Sequence, residues 1–423
     1  MHPKKLLRSL IGICAMFAPA LTLVGPAWAQ VSFNTIYEFK GGTDGNWPTA
    51  GPVSDAAGNL YGTTREGGAF DAGTVYELTP ASGGTWTESI LYSFTGGADG
   101  STPVAELIFD SSGNLYSTTN LGGSYGHGTV FELSPGPEGW TESVLYNFKG
   151  RADGWGPAAK LVFDSAGNLY GTTWNGGDMH YCGDGCGIVF ELSPAADGTW
   201  TETVLYTFRH GPDLNNPGGP LTFDGLGNIY STCWYGGMDG NGGVFELSPN
   251  AGGTWTEKIL YRFRGGNDGA SPKGGVVFDS AGNLYGLTGD WVGSDESVVF
   301  ELSPESGGFW KKSDLYRSHG CSGCIYANAG LTFDASSGNL FGNDIYGGPY
   351  GGTDGGPGFV FEMTPNGAGG WTYKRLYNFN GEPGEYPFGI LMVDAAGNVY
   401  GTTAGNQGPL FGTVFEITGA NAR

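Results

Sequence analysis

Apolar residues return along this chain in short alternating runs, and residues 157–208 contain four of them in a row. Residues 157–164, apolar towards their end, predict a first strand. Ser165-Ala166-Gly167-Asn168 follows as a turn, because Asp164 can bond the backbone ahead of it and Gly and Asn tolerate positive φ. Residues 169–173 predict a second strand, a loop covers 174–187, and residues 188–193 predict a third. After a turn at 194–198, residues 200–208 alternate polar and apolar side chains, as a half-buried fourth strand should. No helical period appears anywhere after residue 29.

The pattern then repeats. The Gly-Asn pair of the first turn returns as Gly58-Asn59, Gly113-Asn114, Gly167-Asn168, Gly227-Asn228, Gly282-Asn283, Gly338-Asn339 and Gly397-Asn398. Four antiparallel strands in about 55 residues make one propeller blade, since a β-helix coil is much shorter. The last copy stops after its third strand, residues 413–418, while residues 32–39 carry the alternation of the missing fourth. The chain is therefore predicted to be all-β: a seven-bladed β-propeller of four-stranded antiparallel blades, one domain over 30–423. The N-terminal strand closes the ring and removes the open edges that invite aggregation.

The recurring phrases, Asp-x-x-Gly-Asn-Leu-Tyr-Gly-Thr-Thr, Gly-Thr-Val-Phe-Glu-Leu-Ser-Pro and Gly-Gly-x-Trp-Thr-Glu, resemble those of the GloVer tandem-repeat family, the "choice-of-anchor" proteins of bacterial surfaces. The resemblance covers residues 32–418. It implies an exported repeat protein, usually tethered by a separable C-terminal anchor, and brings no catalytic residues with it. No anchor is recognisable in this chain, which leaves attachment to a cell surface open.

Residues 1–29 read as a signal peptide: Lys4, Lys5 and Arg8, an apolar run over 10–24, then Ala27-Trp28-Ala29. Cys14 is preceded by Ile13 where a lipoprotein signal needs a small residue. No later stretch is long and apolar enough to span a bilayer, so the expected product is monomeric and secreted, periplasmic or extracellular. Loss of the leader moves the net charge from −22 to −25, a sign that opposes nucleic acid and anionic lipid.

Residues present in every copy build the repeat. Asp110, Asp164, Asp224, Asp279 and Asp394 read as turn caps, because a Ca²⁺ loop needs six or more converging oxygens. The third-strand glutamates (Glu77, Glu132, Glu191, Glu246, Glu301, Glu362 and Glu416) and the fourth-strand Glu88, Glu142, Glu202 and Glu257 read as cross-strand partners or solvated faces. Trp86, Trp140, Trp200, Trp255, Trp310 and Trp371 read as packing between blades. Asp44, Asp99, Asp153, Asp213 and Asp268 lie in the loops that follow each fourth strand. They are turn formers or a rim of acidic loops able to take a cation, with Ca²⁺ the one ion the sequence suggests. No other cofactor and no metal ligand is assigned.

Chemistry belongs where the copies differ. The loops after strands two and four vary, and in a propeller they share one face. His127, His180, His210 and His319 lie in or beside them, with Trp47, Trp155, Trp174, Tyr181, Trp234, Tyr235, Trp291 and Tyr350. Flat rings in a shallow acidic depression suit sugar, whose apolar face stacks on them while carboxylates take its hydroxyls. Packing of loop against loop is the alternative. A ligand site is expected in blades two to four, at His127, Trp155, Trp174, His180, Tyr181, His210 and Trp234. Cys182–Cys186 and Cys321–Cys324 are expected as loop-stapling disulfides, leaving Cys233 as a buried thiol. The reading is a binding or display scaffold for a carbohydrate or cell-envelope ligand. A polysaccharide-cleaving lyase or glycoside hydrolase is the alternative, although no catalytic constellation stands out.

Overall fold

The recurrent turn behaves as its composition dictates in the computed structural model, which describes residues 31–289, 297–317, 329–345, 356–367, 369–381, 384–405 and 410–420. Asp164 Oδ1 accepts the backbone N–H groups of Ala166 and Asn168 at 2.8 and 2.9 Å. Its Oδ2 accepts the Asn168 side-chain amide at 2.8 Å and the Tyr170 hydroxyl at 3.2 Å. Gly167 sits at φ 87°, where glycine is at home and other residues are strained. The same bonds surround Asp110, Asp224, Asp279 and Asp394, so each of these carboxylates is used by its own hairpin.

The Gly-Thr-Thr that follows fixes the rest of the blade. Gly171 pairs with Phe190 of the third strand, and a Cβ there would lie 2.6 Å from the Phe190 ring. The buried aromatic occupies the space a side chain would need. The first Thr reaches the next blade: Thr402 Oγ1 donates to the Ala50 carbonyl at 3.1 Å, and Thr232 Oγ1 accepts the Gly275 N–H at 3.1 Å. The second Thr meets a third-strand Thr, hydroxyl to hydroxyl, at 2.8 Å in the pairs Thr64–Thr74, Thr119–Thr129 and Thr403–Thr413.

Seven antiparallel sheets arranged in a ring result, each with the strand sequence foreseen. The seventh joins the two ends of the chain: Ser32–Glu38 lies beside Thr413–Thr418, followed by Val399–Thr403 and Pro387–Val393. Its register runs from Ser32↔Thr418 to Glu38↔Thr413 and is interrupted between Thr35 and Tyr37. The third and fourth strands of blade three are interrupted at the matching place, between Val189 and Phe190. The propeller is thus an all-β, seven-bladed ring closed by its N-terminal strand. Its core lies between blades, where rings meet edge to face: Phe148–Phe190 and Phe208–Phe245 at 5.2 Å, Phe379–Phe415 at 5.5 Å. The fourth-strand tryptophans join that packing, Trp140 on Tyr61 at 6.3 Å and Trp371 on Tyr285 at 5.5 Å.

The fourth-strand glutamates are not solvated, contrary to one of the two readings of the sequence. Glu88, Glu142, Glu202 and Glu257 are partly buried between blades, each with one carboxyl oxygen buried and without a hydrogen-bond partner among the described residues. Burial, and then the facing carboxylate of Asp44, Asp99, Asp153 or Asp213, pushes them up to about 7, 7, 7 and 8. Each therefore holds a proton that an exposed glutamate would have lost. The same slot holds Lys312 in blade five, ion-paired to Asp268 at 3.0 Å. In blade six it holds Tyr373, stacked on Tyr316, and in blade seven Phe33, stacked on Tyr377, both at 3.8 Å.

Candidate binding cavity at the channel mouth

Two of the variable connections add a short strand of their own. Trp155–Pro157 pairs with Thr173–Asn175, placing Trp155 opposite Asn175, and Leu214–Pro217 pairs with Cys233–Gly236, placing Asn215 opposite Tyr235. In blades one and two the isolated bridges Asn46↔Glu66 and Ser101↔Leu121 do the same work. The loops after strands two and four are thereby held on one face of the ring, as expected.

On that face three tryptophans turn towards the centre. Trp155, Trp174 and Trp234 line a cavity of about 550 Å³, inside the range of about 300–1,000 Å³ usual for small-molecule sites. Trp174 meets Trp234 edge to face at 4.6 Å, and Trp234 stacks on Tyr235 at 5.1 Å. Lys273 Nζ lies 3.2 Å from the centroid of the Trp234 ring. Burial pushes this ammonium down to about 7, while the ring face beneath it favours the charged form. Asn120, Asn175 and Thr49 add polar groups to the wall, and the Thr49 hydroxyl is buried without a partner among the described residues.

Beneath the mouth a second cavity of about 850 Å³ follows the inner strands, and Glu106, Lys160, Pro220, Gly274 and Ile390 border both. This throat breaks the repeat. Four residues ahead of the turn Asp, the seven blades hold Gly51, Glu106, Lys160, Pro220, Gly275, Gly330 and Ile390. A Cβ on Gly51 would lie 1.8 Å from the Ile390 carbonyl oxygen, so the inner strands touch backbone to backbone there. Glu106 reaches past that gap to accept the Ile390 N–H at 3.0 Å. Lys160, half-buried, makes no hydrogen bond or ion pair among the described residues. Sequence reasoning missed Glu106, Lys160 and Lys273 because they stand at the start of an ordinary first strand. The signal was present in the alignment of the chain with itself: adjacent copies carry opposite charges where the others carry Gly, Pro or Ile.

The seven residues expected to form a site separate into two groups. Trp155, Trp174 and Trp234 share the cavity, and His127 supports Trp155 from behind at 5.2 Å, with Nδ1 buried and unpartnered among the described residues. His180 and Tyr181 pack on each other, exposed, at 5.0 Å on the blade-three insertion and do not line the cavity. His210, also outside it, faces Asn215 Oδ1 at 3.3 Å. The expected acidic depression is instead a basic one, with Arg65, Lys160 and Lys273 against Glu106 alone among the described residues. Asp44, Asp99, Asp153, Asp213 and Asp268 accept the N–H four residues earlier, at 2.6–3.0 Å, and so shape their own turns. Cys182–Cys186 is a disulfide and Cys233 a buried free thiol. The expected signal peptide over 1–29, Trp291, His319, Tyr350 and the expected Cys321–Cys324 bridge lie outside the described residues.

Three overlapping segments, residues 26–222, 182–353 and 227–423, match the Gloeobacter/Verrucomicrobia repeat, and the chain belongs to that family. No curated protein matches it. Solved structures similar to it include a putative oxidoreductase (glucose dehydrogenase) from Thermus thermophilus, at 13% identity and a TM-score of 0.45 over 92% of this chain and 99% of that one. The PQQ domain of pyranose dehydrogenase from Coprinopsis cinerea matches at 13% identity and 0.46, over 92% and 95%. An ulvan lyase, a polysaccharide lyase, matches at 13% and 0.46, over 71% and 77%. No role is transferred from any of them.

Proposed function

We propose that this propeller is an exported binding scaffold that takes a carbohydrate, free or part of a cell envelope, into the mouth of its central channel. The observation that supports it is the convergence of Trp155, Trp174 and Trp234 on one cavity whose walls also carry the polar side chains of Asn120 and Asn175. The C–H face of a pyranose stacks on an indole, and Asn120, Asn175 and the throat residues provide the donors and acceptors that hydroxyls require. A glycan array probed with the protein tests this. Trp174→Ala and Trp234→Ala are each expected to weaken the bound glycan by about 1–3 kcal/mol through lost ring contact. His210→Ala, outside the cavity, is expected to change little. Wild-type affinity in both tryptophan variants would overturn the assignment.

Cleavage of a polysaccharide is a second reading, favoured by Lys273. An amine brought to about 7 inside a cavity sits in the range suited to general acid–base work. Incubation with polysaccharides and measurement of new chain ends tests it: turnover abolished by Lys273→Met would support cleavage, and absence of turnover across the panel would leave binding alone.

A further inference from the structure

The cations of this chain are scarce and unevenly placed. Only 19 Lys and Arg oppose 41 Asp and Glu, yet three of the 19, Arg65, Lys160 and Lys273, border the mouth cavity with a single carboxylate among the described residues, Glu106. Glu106 is engaged by the Ile390 N–H. Lys160 stands at the throat with no ion pair or hydrogen bond among the described residues, and Arg65 at the rim lies over the Trp47 ring at 5.3 Å. A half-buried ammonium without an anion is costly to keep, and a structural role would supply one, as Asp268 does for Lys312. The negative charge elsewhere does not cancel this local field, because exposed charges beyond about 10 Å are screened at ordinary ionic strength.

Building on the carbohydrate reading, we infer that the ligand is an acidic glycan whose anionic group enters the throat between Lys160 and Lys273. The ring carrying that group stacks on the tryptophans, and Arg65 meets a second charge at the rim. Two features select the class together: aromatic faces for a pyranose, and cations at two depths for a charge on successive units. Carboxylate and sulfate groups share this chemistry.

The test is titration calorimetry of the protein with oligogalacturonate, a heparin-derived oligosaccharide, cellohexaose and poly-glutamate. The expected result is binding of one or both acidic sugars, at least about tenfold tighter than cellohexaose, weakening as salt is raised. A preference for oligogalacturonate assigns the carboxylate, and a preference for the heparin oligosaccharide, which carries both groups, shows that sulfate contributes. The exposed Arg65→Gln should lower that affinity about tenfold and leave cellohexaose unchanged, and Lys160→Gln should lower it about tenfold, more than it lowers that of cellohexaose; a melting curve confirms that each variant folds. Cellohexaose binding that equals the acidic sugars and depends on Trp174 would overturn this inference and keep the carbohydrate reading. Poly-glutamate binding as tightly as the sugars, without need of Trp174, would overturn the sugar component. Binding of none of the four would overturn both.

Discussion

A chain that begins at Lys40 is expected to be less stable than one that begins at Val31 by more than about 5 kcal/mol, and to aggregate. The lost segment does more than complete a sheet. Phe33 stacks on Tyr377 at 3.8 Å and packs against Phe379 and Phe415, while Phe39, 4% exposed, meets Tyr76 of blade one at 5.1 Å. Truncation of the buried Phe39 alone is worth about 3–5 kcal/mol, and the half-buried Phe33 adds to it. Their removal also opens the edge of Thr413–Thr418, whose backbone groups would be left unpaired. Denaturant melts of the two chains measure the difference, and equal midpoints would contradict the ring closure. Phe33→Ala in the longer chain is expected to reproduce about 3 kcal/mol of the loss.

The second large effect is a loss of stability as pH rises from about 5 to 8. Glu88, Glu142, Glu202 and Glu257 have folded values near 7, 7, 7 and 8 against 4.5 in an unstructured chain. Below 4.5 they are protonated in both states and cost nothing. As pH climbs through 7–8 they ionise in the folded protein too, beside Asp44, Asp99, Asp153 and Asp213, and the stabilisation is lost. Lys40, Lys149 and Arg262 offset part of this at three of the sites. With solvent screening taken into account, each site is worth about 1 kcal/mol, and all four together lower the melting temperature by roughly 5 °C. The acid side behaves oppositely. Burial works against the Asp164 charge, but bonds from Asn168, Ala166 and Tyr170 outweigh it and hold the carboxyl below its ordinary value. Asp224 and Asp279 follow the same pattern, so stability also falls as pH drops below about 4. Melting curves at pH 5 and 8 should therefore differ in wild type and converge when the four glutamates are replaced by Gln. Blade five, where Lys312 makes the ion pair instead, predicts that Glu257→Lys stabilises the protein at pH 8; a lower melting temperature there would count against the account.

Much of the ring was legible because its parts are local. The hairpin at Asp164 is dictated by four consecutive residues. The closure could be read from a strand missing at one end and present at the other. The slot occupied by Glu88, Lys312, Tyr373 and Phe33 was not legible, since its chemistry depends on what the preceding blade presents, a contact about 50 residues away. The site was half legible for the same reason. Trp155, Trp174 and Trp234 stood out as departures from the repeat, but so did His180, Tyr181 and His210, and composition does not say which departures face inward. Glu106, Lys160 and Lys273 were hidden because they fall where the sequence predicts an ordinary first strand, and only the convergence of seven blades on one axis brings them together.

The central claim is that the channel mouth is where this protein meets its ligand. Hydroxyl-radical footprinting with and without the glycan retained best on the array tests it most directly. Protection of Trp155, Trp174 and Trp234, with the interblade Trp86 and Trp140 unchanged, is the predicted result. Protection confined to the outer strands or to the opposite face, with those three tryptophans as reactive as before, would contradict it.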